Sequence, residues 1–280
     1  MKIGVIAAIG VLVIMGLILM FTRHRAASTK RNETVQAKQP TGVDSPPEQL
    51  YSASPKPPSV VFNEGIRSAG SPYGETKVSS ALLWIEASES PFGIRVLDCR
   101  SVAYNMVSTT GDPKVAAKFT ELRNSTGRHL RGSLPLQPLH ADSFLKYPAL
   151  GRVDGTHLFA AQVMEDKWDI FLLDGYLYFA RSWTGDLIFR AKVNPSDSGI
   201  IISSIDANTQ TVKGDRSLAI RQVDFLFKSH LLRQEVPHPL PGNFPADPQQ
   251  IAAYSFHWFG RWGSYATYED TTKARLRRGP

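Results

Sequence analysis

Residues 165–193 read EDKWDIFLLDGYLYFARSWTGDLIFRAKV, the most densely patterned segment of the chain. Three β-rich runs are visible in it. Trp168 to Leu173 and Tyr176 to Trp183 flank Asp174-Gly175. That dipeptide is the strongest two-residue hairpin signal, because both residues tolerate the left-handed backbone of a type I′ turn. The third run, Asp186 to Val193, follows Thr184-Gly185. Threonine is β-branched and resists positive φ, which disfavours a two-residue turn centred there. A three-residue loop, Trp183-Thr184-Gly185, with Gly185 left-handed as a bulge, fits better. In that register Ser182 faces Asp186, Arg181 faces Leu187, Phe179 faces Phe189 and Leu177 faces Ala191.

The register decides where Arg181 points. With the three-residue loop it shares the apolar face of Leu177, Phe179, Leu187 and Phe189. A two-residue turn would shift the pairing by one and set it beside Ile188, Arg190 and Lys192 on a basic, more exposed face. Turn chemistry favours the first arrangement, and the second stays open. On a core face the guanidinium needs a carboxylate or several carbonyls, because an unpaired buried charge costs several kcal/mol. The run W-D-I-x-L-x-x-G-x-L-Y-F-x-R-S-W-T-G, from Trp168 to Gly185, resembles a motif of uncharacterised bacterial domains in which an R-S-W-T-G turn follows an aromatic strand. The resemblance is confined to this segment and implies no activity. It does imply that Arg181, Ser182, Trp183, Thr184 and Gly185 act as a unit.

The start of the chain has a different character. Ile3 to Phe21 is apolar or small throughout and without charge, long enough to cross a bilayer as an uncleaved helix. Only Lys2 precedes it, whereas Arg23, Arg25, Lys30 and Arg31 follow. By the positive-inside rule we expect a single-pass protein of the cell membrane with its soluble body on the cytoplasmic side. Those four basic residues are placed to meet anionic lipid headgroups. The single cysteine, Cys99, allows no internal disulfide and asks for no oxidising compartment. At the end of an apolar strand it reads as a small buried residue rather than a nucleophile.

The net charge of +7 does not describe the body. Between Ser59 and Thr272 there are 21 basic and 22 acidic residues, so the excess sits beside the membrane and in the tail. Without a basic stripe, nucleic-acid binding is not expected. The organisation we read is an anchor at 1–22, a Pro/Ser-rich linker at 23–58 and a smaller α+β section at 59–150. A sheet-plus-helices domain at 151–272 and a basic tail at 273–280 complete the chain.

Within the body, Ala81 to Glu86 and Ile94 to Leu97 read as strands, and Asp112-Pro113 opens a helix ended near Gly127. Ser133 to Pro148 reads as irregular, broken by prolines. His157 to Val163 begins the main sheet and Gly199 to Ile205 is its fifth strand; Asn208 to Gly214 reads as loop. Two helices follow, opened by Asp215 and by Asp247-Pro248. The fold class is therefore α+β: a mostly antiparallel sheet of about five strands covered by C-terminal helices, preceded by the transmembrane helix.

No P-loop, nucleophile elbow, HExxH or GxGxxG motif is present, and the histidines are scattered without metal-ligand spacing. No cofactor or metal is expected. Glu165, Asp166 and Asp169 read as a solvated cluster before the central strand. The candidate ligand-binding residues are Arg181, Ser182, Trp183 and Thr184, with His230 or His238 as possible neighbours: a bidentate cation, two hydroxyls and a stacking wall suit an anion. The competing expectation is that Arg181 bonds Asp224, with Lys228 one turn further on. Three functions follow from this reading: a tethered domain that binds a ligand or protein partner, a tethered hydrolase acting on an anionic molecule at Arg181, or a structural envelope component.

Overall fold

In chain order the elements are β1 (Leu83–Ile85), β2 (Val96–Asp98), α1 (Arg100–Asn105), α2 (Pro113–Arg123), β3 (Pro138–Tyr147) and β4 (Thr156–Phe159). They continue with β5 (Trp168–Leu173), β6 (Tyr176–Arg181), β7 (Leu187–Ser196), β8 (Gly199–Asn208), α3 (Thr209–Val212) and α4 (Arg216–Leu226). β9 (His238–Pro239), α5 (Pro248–Phe259) and β10 (Tyr265–Thr267) complete the described strands and α-helices, and a π-helical turn, Phe227–Leu231, continues α4. The structure, a computed structural model, describes residues 81–149, 151 and 154–273. The expected anchor at 3–21, the linker, the lipid-contact residues and all of the tail after Lys273 lie outside the described residues. Among the described residues no helix is long and apolar enough to cross a membrane.

The fold is α+β with antiparallel-rich sheets and C-terminal helices, but it has more strands than the five expected. The main sheet holds six in the order β3-β8-β7-β6-β5-β4, every pair antiparallel. A second sheet has the order β1-β2-β10-β9, with β9 parallel to β10. Both sheets draw strands from either side of residue 150. The extra strand in the main sheet is β3, which the prolines concealed. Pro138 is its first residue and β3 is an edge strand, the two places where a missing N–H is tolerated. Strand β8 also runs past Ile205 to Asn208. A bulge at Ser203 switches its inward set from Ala207 and Ile205 to Ile202, so the alternation does not run unbroken.

The central hairpin forms as the dipeptide dictates: Asp174 and Gly175 are left-handed, with φ of 51° and 73°. The next turn differs from expectation. Leu177 faces Ala191 and Phe179 faces Phe189, but Ala180 faces Leu187, with Ile188 as an extra residue. The Arg181 amide donates to Asp186 O, and the Gly185 amide donates to Arg181 O. The loop therefore has four residues, Ser182–Gly185, with Gly185 left-handed at φ 79°. Ser182 leaves the β7 pairing because its amide donates to Lys167 O and its hydroxyl to Asp166 O, on the β5 side.

Helices α4 and α5 cover the face of the main sheet that carries Trp168, Ile170, Leu177, Phe179 and Phe189. Aspartate caps open both helices: Asp215 accepts from the Leu218 amide and Asp247 from the Gln250 amide. The opposite face buries Phe171, Leu173 and Tyr178 against Leu130. Helix α5 is a shared layer. Ile251 and Ala252 pack with Leu97 and Ala266 of the small sheet, while Phe259 enters the main core.

Candidate functional site

Arg181 follows Phe179 by two residues and so points to the same side of the sheet, under the end of α5. Its Nη1 donates to the Trp258 carbonyl at 2.9 Å and its Nη2 to the His257 carbonyl at 2.8 Å. Those carbonyls are among the last of the helix and have no amide ahead to accept from. The indole of Trp168 donates to the same Trp258 carbonyl at 2.7 Å. The guanidinium also lies 5.1 Å from the Trp168 ring and 5.0 Å from the Trp258 ring. Arg181 is therefore a helix cap held between two indoles. Burial lowers its pKa to about 10, which leaves it protonated at neutral pH.

The expected pairing of Arg181 with Asp224 does not form. Asp224 accepts from Tyr147 Oη at 2.6 Å and from Lys228 Nζ at 2.7 Å, the neighbour one turn along its own helix. Of the other turn residues, Ser182 donates to the Asp166 carbonyl, and Thr184 Oγ1 to Asp186 Oδ2. The Trp183 indole donates to the Met164 carbonyl at 2.8 Å. Each of the four side chains from Arg181 to Thr184 thus bonds to a different neighbour. His230 and His238 are fully buried among aromatic rings, His230 against Phe159 and Trp262 and His238 against Phe259. The histidine brought to the turn is His257, through its carbonyl.

The acidic run before β5 is buried rather than solvated at two of its three carboxylates. Asp166 is inaccessible and receives Arg261 Nε at 2.7 Å, Arg261 Nη2 at 3.0 Å and the Trp262 indole at 3.0 Å. Asp169 receives the Ala161 amide at 2.8 Å. The residue between them and the turn is the one the sequence reading passed over. Lys167 is 6 % exposed, and its Nζ reaches Ser108 Oγ at 2.5 Å and the Met164 carbonyl at 2.7 Å. The rings of Trp183 and Phe256 lie 4.6 and 5.0 Å from that nitrogen. Burial first, and then the Arg181 charge, lower the Lys167 pKa to about 7. An acidic pair followed by K-W at the start of a strand gives no hint of this, because Ser108 is 59 residues away.

Cys99 is fully buried with its thiol pushed up to about 12 by burial, so it is a thiol and not a nucleophile. Folding brings it within 3.7 Å of Ser255 Oγ, which in turn lies 2.8 Å from His238 Nε2. All three groups are sealed between the sheets.

A groove opens where the end of the main sheet meets α5. It has a volume of about 540 Å³, and Leu134, Leu136, Leu187, Ile188 and Trp258 line it with Asp186. Leu134 and Leu136 are 50 % and 67 % exposed. Trp258 thus stacks on Arg181 and also lines this groove. No family model, curated protein or solved structure matches the chain.

Proposed function

We propose that the chain is a single-pass membrane protein, held by residues 3–21, whose body binds a protein partner in the groove at the end of the main sheet. Arg23, Arg25, Lys30 and Arg31 face anionic headgroups on the cytoplasmic side in this reading. The observation that carries it is the cluster of exposed leucines, Leu134 and Leu136, continuous with Leu187, Ile188 and Trp258. Contiguous apolar surface of this kind, rimmed by polar groups, marks interaction sites. The rim supplies Asp186, Asn208 and Gln210. An apolar peptide segment carrying a lysine or arginine for Asp186 is the matching chemistry. Anion capture at Arg181 is the weaker reading, because both terminal nitrogens already serve helix carbonyls.

The test uses the full chain in mild detergent with Leu134→Asp and Leu136→Asp combined, and an anilinonaphthalene dye as probe. The variant should melt as the wild type does while its dye fluorescence, above that of empty micelles, falls by more than about half. Unchanged fluorescence would show that the groove is not an accessible apolar surface.

A further inference from the structure

Among the described residues no carboxylate lies within bonding distance of Lys167, and its ammonium is met instead by a hydroxyl, a carbonyl and two aromatic rings. These acceptors and rings favour the cation, but burial and the neighbouring Arg181 charge oppose it and lower the pKa to about 7. Exposure divides the labour between the two groups. Lys167 is buried, whereas Ser108 is half-buried in the irregular segment between α1 and α2. Ser108 is the more accessible member of the pair. We propose that Ser108 and Lys167 are a nucleophile and its base, and that the pair hydrolyses carboxylic esters with an apolar acyl group.

In the first half-reaction Ser108 Oγ bonds to the ester carbonyl carbon while its proton passes to the Lys167 amine. The tetrahedral adduct expels the alkoxide, which takes that proton from the Lys167 ammonium and leaves as the alcohol. Water then attacks the acyl-serine, gives one proton to Lys167, and releases the carboxylic acid as that proton returns to Ser108 Oγ. Ester plus water become acid plus alcohol, and no other reactant is needed. The Met164 carbonyl accepts one hydrogen of the amine at 2.7 Å and so helps hold the nitrogen beside Ser108 Oγ. Glu165 Oε1 accepts the Ser108 amide at 2.7 Å and fixes the nucleophile's backbone. That amide is therefore committed, and the next two, of Thr109 and Thr110, donate to no other described residue and are the nearest in sequence to meet the oxyanion.

The choice of acyl group follows from what the two segments expose. Val107, beside the serine, and Val163, beside Met164, are 57 % and 40 % exposed. Trp183 forms a half-buried wall over the lysine. The charged groups that face Lys167 are Arg181, which opposes its protonation, and Glu165 and Asp166, which favour it. His257 of α5 also faces it, and burial and then the Arg181 and Lys167 charges lower the His257 pKa to about 4. Asp166 is itself neutralised by Arg261. The balance leaves the lysine near pH 7, where a base can both take and return a proton.

The test is labelling of the full chain in detergent with a biotinylated fluorophosphonate, followed by identification of the labelled peptide. The label should fall on Ser108, at a rate that rises with pH through a midpoint near 7. Ser108→Ala should lower the rate by at least about 100-fold, and Lys167→Arg, which keeps the cation but not the base, should do likewise. p-Nitrophenyl butyrate should give a burst and a butyryl group on Ser108 in the wild type alone. Should a lysine variant fail to fold, judged by its near-ultraviolet circular dichroism, Ser108→Ala and the wild-type pH profile still decide. Labelling of folded wild type no faster than of Ser108→Ala, or with no pH dependence from about 6 to about 8, would overturn the proposal.

Discussion

Arg181 touches Trp258 twice, donating to its carbonyl at 2.9 Å and lying 5.0 Å from its ring. The contact locks the last turn of α5 to the middle of the main sheet. Hydrogen bonds from a charged donor contribute about 1.5–3 kcal/mol each, and truncation leaves carbonyls unmet. Arg181→Ala should therefore destabilise the body by about 2–4 kcal/mol in urea unfolding. Arg181→Lys should recover less than half of that, because a point charge cannot serve two carbonyls and two indole faces at once. Equal stability of wild type and alanine variant would mean that the cap is not a structural one.

Gly260 ends α5 with φ 57° and ψ −131°, and a Cβ there would lie 1.7 Å from the Glu165 carbonyl oxygen. The approach cannot relax through a flexible side chain, since the obstacle is backbone. Gly260→Ala should cost more than about 4 kcal/mol or abolish folding. Gly214→Ala is the control: φ is 74° but nothing lies within 4 Å, so only the left-handed penalty of about 1–2 kcal/mol applies. Similar melting of the two variants would refute the close approach.

His230 and His238 are held neutral, each with its pKa lowered to about 3, chiefly by burial. Arg233 and Arg261 add to the effect at His230. The unfolded chain binds protons at both sites between about pH 6.5 and 3 while the folded chain does not. Stability is therefore full above about pH 6.5 and declines as pH falls, by up to about 1.4 kcal/mol per pH unit for each histidine. His230→Phe fits the ring cluster and removes the unpartnered Nε2. Its unfolding free energy should fall less steeply with acid than that of the wild type. Parallel acid limbs would show that His230 does not titrate on unfolding.

Lys167 follows the same sign over a more alkaline window. Its folded pKa of about 7 lies below the ordinary 10.5, so the unfolded chain holds the extra proton only between those values. The cost of the buried charge is complete below pH 7 and disappears as pH rises toward 10.5. Relative to Lys167→Met, the wild type should gain stability from pH 7 to pH 9, by up to about 1.4 kcal/mol per unit. A difference that does not change with pH would mean that the lysine is protonated throughout.

What could be read from the residues was local chemistry. Asp174-Gly175 carries its own turn, and Asp112, Asp215 and Asp247 carry their own helix caps through contacts two or three residues away. The apolar side of Arg181 was legible from alternation, and so was its need for carbonyls or a carboxylate. Which group would answer was not. The partners are backbone carbonyls 76 and 77 residues further on, and a carbonyl has no sequence signature. Strand β3 was hidden by prolines that an edge strand accommodates, and the Ser203 bulge masked the full length of β8. The Ser108–Lys167 contact joins two segments with no shared pattern, so only the folded chain brings it into view.

The groove decides whether the body is a binding domain. The most direct measurement places a benzophenone amino acid at Leu136, in the full chain in its native membrane, with the same group at Tyr104 as control. Both sites are exposed, but only Leu136 lines the groove. Irradiation should give one discrete adduct from position 136 and none from 104. The captured peptide should be apolar with a lysine or arginine, and Leu134→Asp should abolish the adduct. Equal adducts from both positions, or none from position 136 in a folded protein, would contradict partner binding at the end of the sheet.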